Sequence, residues 1–175
     1  INLRELWQQV WLKDRGTFIW SILTYPFNPE VALLRLITQP DREVELWDYL
    51  NKKTPTLGFM GNETTARIFR ILGLNFTFPS YSKSFSFASN HILIPSELTG
   101  HVETDRKKLF SSIKKGHFYF SFDTLGDPKG FAAYVTDTKD NSHLIGSKLK
   151  LEKGMKLKVD LPERLNVPFI VEVYK

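Results

Sequence analysis

The stretch GFMGNETTAR, residues 58–67, is the most informative part of this chain. It follows a predicted helix that ends in LWDYL at residues 46–50, with a short polar connection between them. The apolar residues 56–60 are typical of a short buried strand, and residues 64–72 are typical of a helix. A strand–turn–helix unit belongs to an α/β layer, and this turn carries the carboxylate of Glu63. The sequence therefore predicts an active-site turn between the strand and the helix.

The composition indicates a globular protein with no simple class of partner. The chain has 175 residues, of which 42% are apolar and 14% aromatic, so one domain or two small ones can form a core. The net charge of +5 is spread thinly, which is weak support for nucleic-acid binding. The absence of cysteine excludes disulfides, thiolate metal sites and a cysteine nucleophile, and leaves the compartment open. The chain begins at Ile1, which predicts the internal part of a longer gene product, and no apolar run is long enough to span a membrane.

The first third of the chain is predicted to be helical. Residues 3–11 carry apolar side chains at helical spacing, and residues 18–25 form a second apolar segment. Asn28 followed by a proline predicts the start of a third helix. Asp41 is the predicted cap of a fourth, whose buried stripe is expected to comprise Val44, Leu46, Trp47 and Leu50. Residues 75–89, rich in Phe, Ser and Pro, are predicted to be a long loop.

The second half is predicted to consist mainly of strands. A strand at residues 91–94 precedes a helix at residues 105–115, which Gly116 ends. Further strands are predicted at residues 117–123, 131–136, 148–151, 155–160 and 169–174. The last four alternate apolar and polar residues, which predicts a small antiparallel sheet or sandwich.

Lysines alternate along the predicted C-terminal strands, at positions 148, 150, 153, 156 and 158. This spacing favours the solvated face of an antiparallel sheet, with protection of the sheet edge. A nucleic-acid surface is the weaker interpretation, because no aromatic residues interleave on that face.

Several motifs lie in an order that resembles one known family. They are LWDYL (46–50), GNETTA (61–66), LTG (98–100), Asp105, KGHFY (115–119) and FDTLGDPKGF (122–131). Together they resemble the C-terminal half of PHP-type (polymerase and histidinol phosphatase) metal-dependent phosphoesterase-like proteins. The likeness covers roughly residues 25–135 and continues into a β-rich region seen in some members.

This resemblance implies an α/β fold, specifically the C-terminal part of a distorted (β/α)7 barrel followed by a small antiparallel, sandwich-like β-rich module. Residues 1–95 would hold the helical region and the last βα units, and residues 96–175 a mixed segment leading into the β-rich module. It also implies hydrolysis of a phosphoester by water bound to Zn²⁺, Mn²⁺ or Fe. In the metal-binding turn of the family, Glu63 stands where the family has Asp, and Thr65 stands where it has His. Glu63 is therefore the candidate metal ligand, whereas a threonine hydroxyl is a poor ligand.

The family's other ligands have no counterpart here. No His-x-His pair occurs, and the four histidines, at positions 91, 101, 117 and 143, are not paired at ligand spacing. We therefore expect a fragment or a degenerate member that has no complete metal site, holds no cofactor by itself and is inactive alone. The expected partners are the missing N-terminal half or a second copy of the chain, and a phosphoester substrate if the chain is active. The alternative is a non-catalytic module that binds a glycan or another protein.

Other polar residues have both a functional and a structural interpretation. Glu63 can complement a helix dipole instead of binding a metal. Asp123 and Asp127 can form a calcium loop, although turn formation explains them better. His117 can act as a base or be a half-buried histidine, and the serines and rings of residues 80–87 can bind a sugar or phosphate or pack a loop.

Overall fold

The computed structural model describes residues 1–64, 67–71, 73–162 and 170–173. The chain divides into two compact units, one formed by Ile1–Asn90 with Phe120–Thr124 and the other by His91–Tyr119 with Leu125–Lys175. The helices are α1 (Leu3–Lys13), α2 (Arg15–Thr24), α3 (Pro29–Leu34), α4 (Asp41–Asn51), α5 (Tyr81–Phe85) and α6 (Val102–Lys115). The strands are β1 (Arg67–Ile71), β2 (Leu74–Phe78), β3 (Ser89–Ile92), β4 (Phe118–Ser121), β5 (Ala132–Thr136), β6 (Ser142–Leu144) and β7 (Lys156–Asp160).

Side-chain caps explain where the first three helices begin. The side chains of Asn2, Asp14 and Asn28 accept hydrogen bonds from backbone N–H groups in the first turns of α1, α2 and α3. Each cap satisfies a donor that has no partner within the helix. The predicted start at Asn28 is confirmed. Asp41 differs from the prediction, because it is the first residue of α4 and Pro40 occupies the cap position without a side-chain hydrogen bond.

The core of the first unit forms around one face of α1. Leu3, Leu6 and Val10 are buried at helical spacing, together with Leu33 and Leu36 from α3 and the segment after it. Tyr25, Ala32, Met60, Phe78, Phe87 and Ala88 complete this cluster. Full burial of each large aliphatic side chain contributes about 1.5–3 kcal/mol. The stripe predicted to be buried on α4 is wrong, since Leu46, Trp47 and Leu50 are exposed.

Residues 56–78 differ most from the prediction. Residues 56–60 form no strand, and within them Met60 is the buried residue. The predicted helix at residues 64–72 is wrong at 67–71, which form β1 and pair antiparallel with β2. Ile71 lies opposite Leu74, and Gly73 has φ 80°, so this glycine permits a tight hairpin connection instead of ending a helix.

The segment predicted as a long loop, residues 75–89, is largely ordered into secondary structure. It contains most of β2 and all of α5, and its last residue begins β3. β2 is ordered by its pairing with β1, so no periodicity within residues 75–89 predicts this strand.

The second unit contains α6 and a three-stranded antiparallel sheet. The strand order is β6-β5-β7, and Tyr134 at the centre of β5 pairs with Leu144 on one side and Lys158 on the other. The predicted strands at residues 131–136 and 155–160 are confirmed, and Gly116 ends α6 in a left-handed conformation with φ 75°. The predicted strand at residues 148–151 is wrong, because residues 142–144 pair with β5 instead.

The overall class is mixed α/β with small antiparallel sheets. Residues 170–173 form no strand, and the rest of the predicted strand at 169–174 lies outside the described residues. The sheets within the described residues have two or three strands and close no barrel, so a PHP-type barrel is not confirmed. Every described helix is too short or too polar to cross a bilayer.

Candidate functional site

The turn at residues 61–64 is attached to the first residues of the chain. The nitrogen of Ile1 donates to the carbonyl of Phe59 at 2.8 Å, and the N–H of Gly61 donates to the carbonyl of Ile1 at 2.8 Å. The N–H of Leu3 in turn donates to the carbonyl of Gly61 at 3.0 Å. These bonds form a short parallel ladder, so the extended chain before the turn serves as a support for the start of α1.

The same segment is held on its other side by two asparagine side chains. Met60 donates its N–H to Asn90 Oδ1 at 2.9 Å, and Asn90 Nδ2 donates to the carbonyl of Met60 at 2.8 Å. Asn62 Nδ2 donates to the carbonyl of Ala88 at 3.0 Å. The segment that contains the turn therefore lies between residues 1–3 and residues 88–90, with its backbone polar groups used on both sides.

The carboxylate of Glu63 lies beside the first residues of α1. Arg4 Nη1 donates to Glu63 Oε1 at 2.7 Å, and Asn2 Nδ2 donates to Glu63 Oε2. Asn2 also caps α1, because its Oδ1 accepts from the N–H of Arg4 at 2.9 Å. A negative charge is favoured at a helix N terminus. Glu63 thus complements a helix, but the helix is α1 and not the one predicted to follow the turn.

The described side chains near Glu63 do not form a metal centre. Both carboxylate oxygens already accept hydrogen bonds, one of them from the cation of Arg4. The Nδ2 of neighbouring Asn62 donates to Ala88, whereas its Oδ1 is buried without a hydrogen-bond partner among the described residues, and Thr65 lies outside those residues. Across the described parts of the chain, no three His, Asp or Glu side chains group closely enough to hold a metal. A metal at Glu63 therefore stays a prediction, and no catalytic step is assigned through one.

The other acidic candidates accept hydrogen bonds from neighbouring groups. Asp123 accepts hydrogen bonds from the hydroxyls of Ser89 and Ser121. Asp127 Oδ1 accepts from the N–H of Lys129 at 3.0 Å, which is the geometry of an Asx turn. Asp127 therefore agrees with the turn-forming interpretation, whereas Asp123 also links its segment to the first residue of β3.

The serine-rich segment has a structural role, and His117 takes part in backbone pairing. His117 is partly buried, and its carbonyl accepts from the N–H of Leu93 at 2.8 Å. Ser80 caps α5 through its side chain, and the hydroxyl of buried Ser84 donates to the carbonyl of Ser80 at 3.0 Å. These hydroxyls therefore stabilise a short helix. Of the rings in this segment, Phe87 packs into the core as the packing interpretation expects, whereas Tyr81 and Phe85 are exposed.

The structure brings together one acid–histidine pair that the sequence analysis did not identify. Asp137 Oδ2 lies 3.0 Å from His143 Nε2, and Asp137 also accepts from the side chain and N–H of Asn141 and from the N–H of Lys139. The hydrogen bonds from His143 and then Asn141 hold the pKa of Asp137 well below its ordinary value of 3.8. Because this carboxylate closes the connection between β5 and β6, its first role is to fix that turn.

A group of exposed apolar side chains lies on and just after α2. Ile19, Trp20 and Leu23 are 50%, 55% and 60% exposed, and Phe27 just after the helix is 89% exposed. Ser21 is fully buried on the opposite side, and its hydroxyl has no hydrogen-bond partner among the described residues. The core side of α2 thus holds Ser21 together with partly buried Phe18 and Ile22, whereas Ile19, Trp20 and Leu23 face outwards. Ile19, Trp20, Leu23 and Phe27 are called the outer face of α2 below.

Sequence analysis identified residues 18–25 as an apolar segment but could not tell which side the core covers. The available signal was that α2 is apolar almost all the way round, with one serine interrupting the pattern. A helix of this kind is normally buried on every side.

Comparisons of the chain with protein-family models, with curated protein sequences and with solved structures give no match.

Proposed function

We propose that this chain is a non-catalytic module that binds another polypeptide through the outer face of α2. The observation that carries the proposal is the exposure of Ile19, Trp20 and Leu23 on a helix whose buried side holds Ser21. The resemblance to PHP-type phosphoesterases enters as a proposed ancestry, in which the enzyme's metal site is incomplete. This surface fits a protein partner that offers an apolar groove or an apolar helix face.

The spacing of the exposed side chains supports docking along a helix. Positions 19, 20 and 23 recur at helical intervals within α2, which is how one helix presents a continuous ridge to a partner, and Phe27 extends this surface just after the helix ends. Gly16 lies one turn before this ridge, where the lack of a side chain allows close approach.

The size of the surface also supports a partner. These four side chains together expose on the order of 500 Å² of apolar area, near the upper end of what a monomer normally leaves uncovered. Two of the four are aromatic, and aromatic side chains dominate the energetics of protein interfaces. A surface of this composition binds a protein better than it binds a polar glycan.

The competing hypothesis, metal-dependent phosphoester hydrolysis, rests on the order of the motifs around Glu63. In the described structure, Glu63 is paired with Arg4 and Asn2, so a metal ion would have to displace an existing cation. A carboxylate that is already held in a structural ion pair is a weaker candidate for a metal ligand.

Site-specific photo-crosslinking tests the proposal. A benzophenone amino acid is placed at position 20 or, as the matched control, at position 151, where Leu151 is 86% exposed in the other unit. We expect a discrete polypeptide adduct from position 20 and none from position 151, followed by at least tenfold weaker binding of the purified partner by Leu23→Glu. Leu151→Glu should leave that binding unchanged.

Two results would overturn the proposal. The first is equal crosslinking at both positions, or none at position 20. The second is stoichiometric Zn²⁺, Mn²⁺ or Fe in the purified protein together with metal-dependent phosphoester hydrolysis that Glu63→Ala abolishes, because the chain would then be an enzyme.

A further inference from the structure

The exposed side of α6 carries three cations around an aromatic side chain. Arg106, Lys107, Phe110 and Lys114 line an open cleft of about 280 Å³. Positions 106, 110 and 114 are four residues apart, so their side chains follow one stripe of the helix, and Lys107 lies beside it. Phe110 is 55% exposed.

This helix is firmly positioned by its other side. Asp105 accepts from the N–H groups of Thr99 and Gly100 at 2.8–3.0 Å, and Ser112 is buried. The carboxylate is therefore used by residues 99–100, and the hydrogen bonds that Thr99 donates hold the pKa of Asp105 below its ordinary value. Because the inner side is fixed, the orientation of the cleft is fixed as well.

The cations of the cleft are available to a ligand. Lys107 and Lys114 make no hydrogen bond or ion pair with any described residue. Arg106 lies 3.8 Å from Glu103, and both side chains are about two-thirds exposed, so solvent screens this pair strongly. A ligand that brings negative charge therefore replaces only one weak contact.

We propose that this face of α6 binds single-stranded nucleic acid. The axial distance from Arg106 to Lys114 is about 12 Å at 1.5 Å per residue, which fits about two nucleotides of an extended strand. An unstacked base can lie on the Phe110 ring while the adjacent phosphates contact the cations, which is the recurring arrangement for binding single strands. An acidic peptide would use the charges but not the ring.

The expectation against nucleic acid rested on the thin spread of charge over the whole chain and on a different set of lysines. Those at positions 148–158 have no aromatic residue between them, whereas Phe110 lies between the cations of α6. The two lysine sets therefore provide a comparison within one protein, and this inference does not depend on the outer face of α2.

Fluorescence anisotropy with a labelled 12-nucleotide oligothymidylate tests the inference at low salt. Replacing Arg106, Lys107 and Lys114 together by Ala should weaken binding at least tenfold and reduce the slope of log affinity against log salt by about 2. The matched control replaces Lys148, Lys150 and Lys153 by Ala, which removes the same charge from exposed positions elsewhere. Circular dichroism checks that both triple variants stay folded.

Replacing Phe110 is the second part of the test. Phe110→Leu, which keeps an apolar side chain, should weaken single-strand binding about fivefold and leave binding of a duplex of equal length unchanged. The inference is overturned if both triple variants lose affinity equally, if Phe110→Leu has no effect on the single strand, or if polyglutamate competes as well as the oligonucleotide. Each of these outcomes would mean that only net positive charge is being measured.

Discussion

Replacing Glu63 by Gln tests the role of the carboxylate in the turn at residues 61–64. The amide keeps the shape of the side chain but removes its charge, so the ion pair with Arg4 is lost. The two side chains are 51% and 35% exposed, so the pair contributes about 0.2–1 kcal/mol. The favourable position at the N terminus of α1 adds about 0.3–1 kcal/mol. Together these give a loss of about 1 kcal/mol, or roughly 3 °C in Tm for a chain of this size.

The backbone conformation at Glu63 allows a second variant that removes backbone strain as well as the charge. Its φ of 39° lies in the left-handed region, which costs a non-glycine residue about 1–2 kcal/mol. Glu63→Gly removes the carboxylate but also this strain, so we expect it to be at least as stable as Glu63→Gln. Thermal unfolding followed by circular dichroism measures both variants. A double-mutant cycle with Arg4→Ala should give a coupling energy of about 0.5–1 kcal/mol.

The same measurements separate a structural carboxylate from a metal ligand. If Glu63 serves only α1, the Tm of the wild-type protein is unchanged by added Zn²⁺ or Mn²⁺. Binding of a metal to the folded state would instead raise the Tm with metal concentration. A rise of this kind that disappears in Glu63→Gln would refute the structural assignment. So would a coupling energy near zero with Arg4→Ala.

Three further predictions concern other parts of the chain. Gly146→Ala should destabilise the protein by more than about 2 kcal/mol, because φ is 85° at this glycine and an added Cβ would overlap the carbonyl of Gly116. The control Gly100→Ala should cost about 1 kcal/mol, because φ is 79° there and the space around it is open. Equal losses of stability in urea unfolding would contradict this prediction. Ser21→Ala should stabilise by about 1 kcal/mol, since it removes a buried hydroxyl without a partner among the described residues, and a lower Tm would disprove it. The folded-state pKa of Asp137 lies below 3.8, so its contribution to stability is present above that value and is lost as the pH falls through the folded pKa. The Tm difference between wild type and Asp137→Asn should therefore shrink from about pH 6 to about pH 2, and a constant difference would argue against it.

The parts of the fold that could be predicted are those controlled by neighbouring residues. Asn28 begins α3 because its side chain caps the helix three residues later, and Gly116 ends α6 because it can adopt a positive φ. The strands β5 and β7 alternate side chains clearly enough to be identified from their spacing. These signals act within a few residues and need no information about the rest of the chain.

The wrong predictions share one cause. Residues 67–71 have apolar positions compatible with either period, and pairing with β2 decides that they form a strand. Residues 142–144 carry a weaker strand signal than residues 148–151, yet they form the strand because the Asp137 turn places them beside β5. Partner strands supply the hydrogen bonds in both cases, and no local pattern specifies the partner.

The candidate sites follow the same division. The sequence by itself determined that the 61–66 turn carries one carboxylate, that no cysteine is present and that residues 18–25 are apolar. Only the tertiary structure decided that Glu63 pairs with Arg4, fifty-nine positions away, and that the core covers the Ser21 side of α2 and not the Trp20 side. Composition fixes which chemical groups a chain possesses, but charge pairing and burial depend on which distant segments pack together.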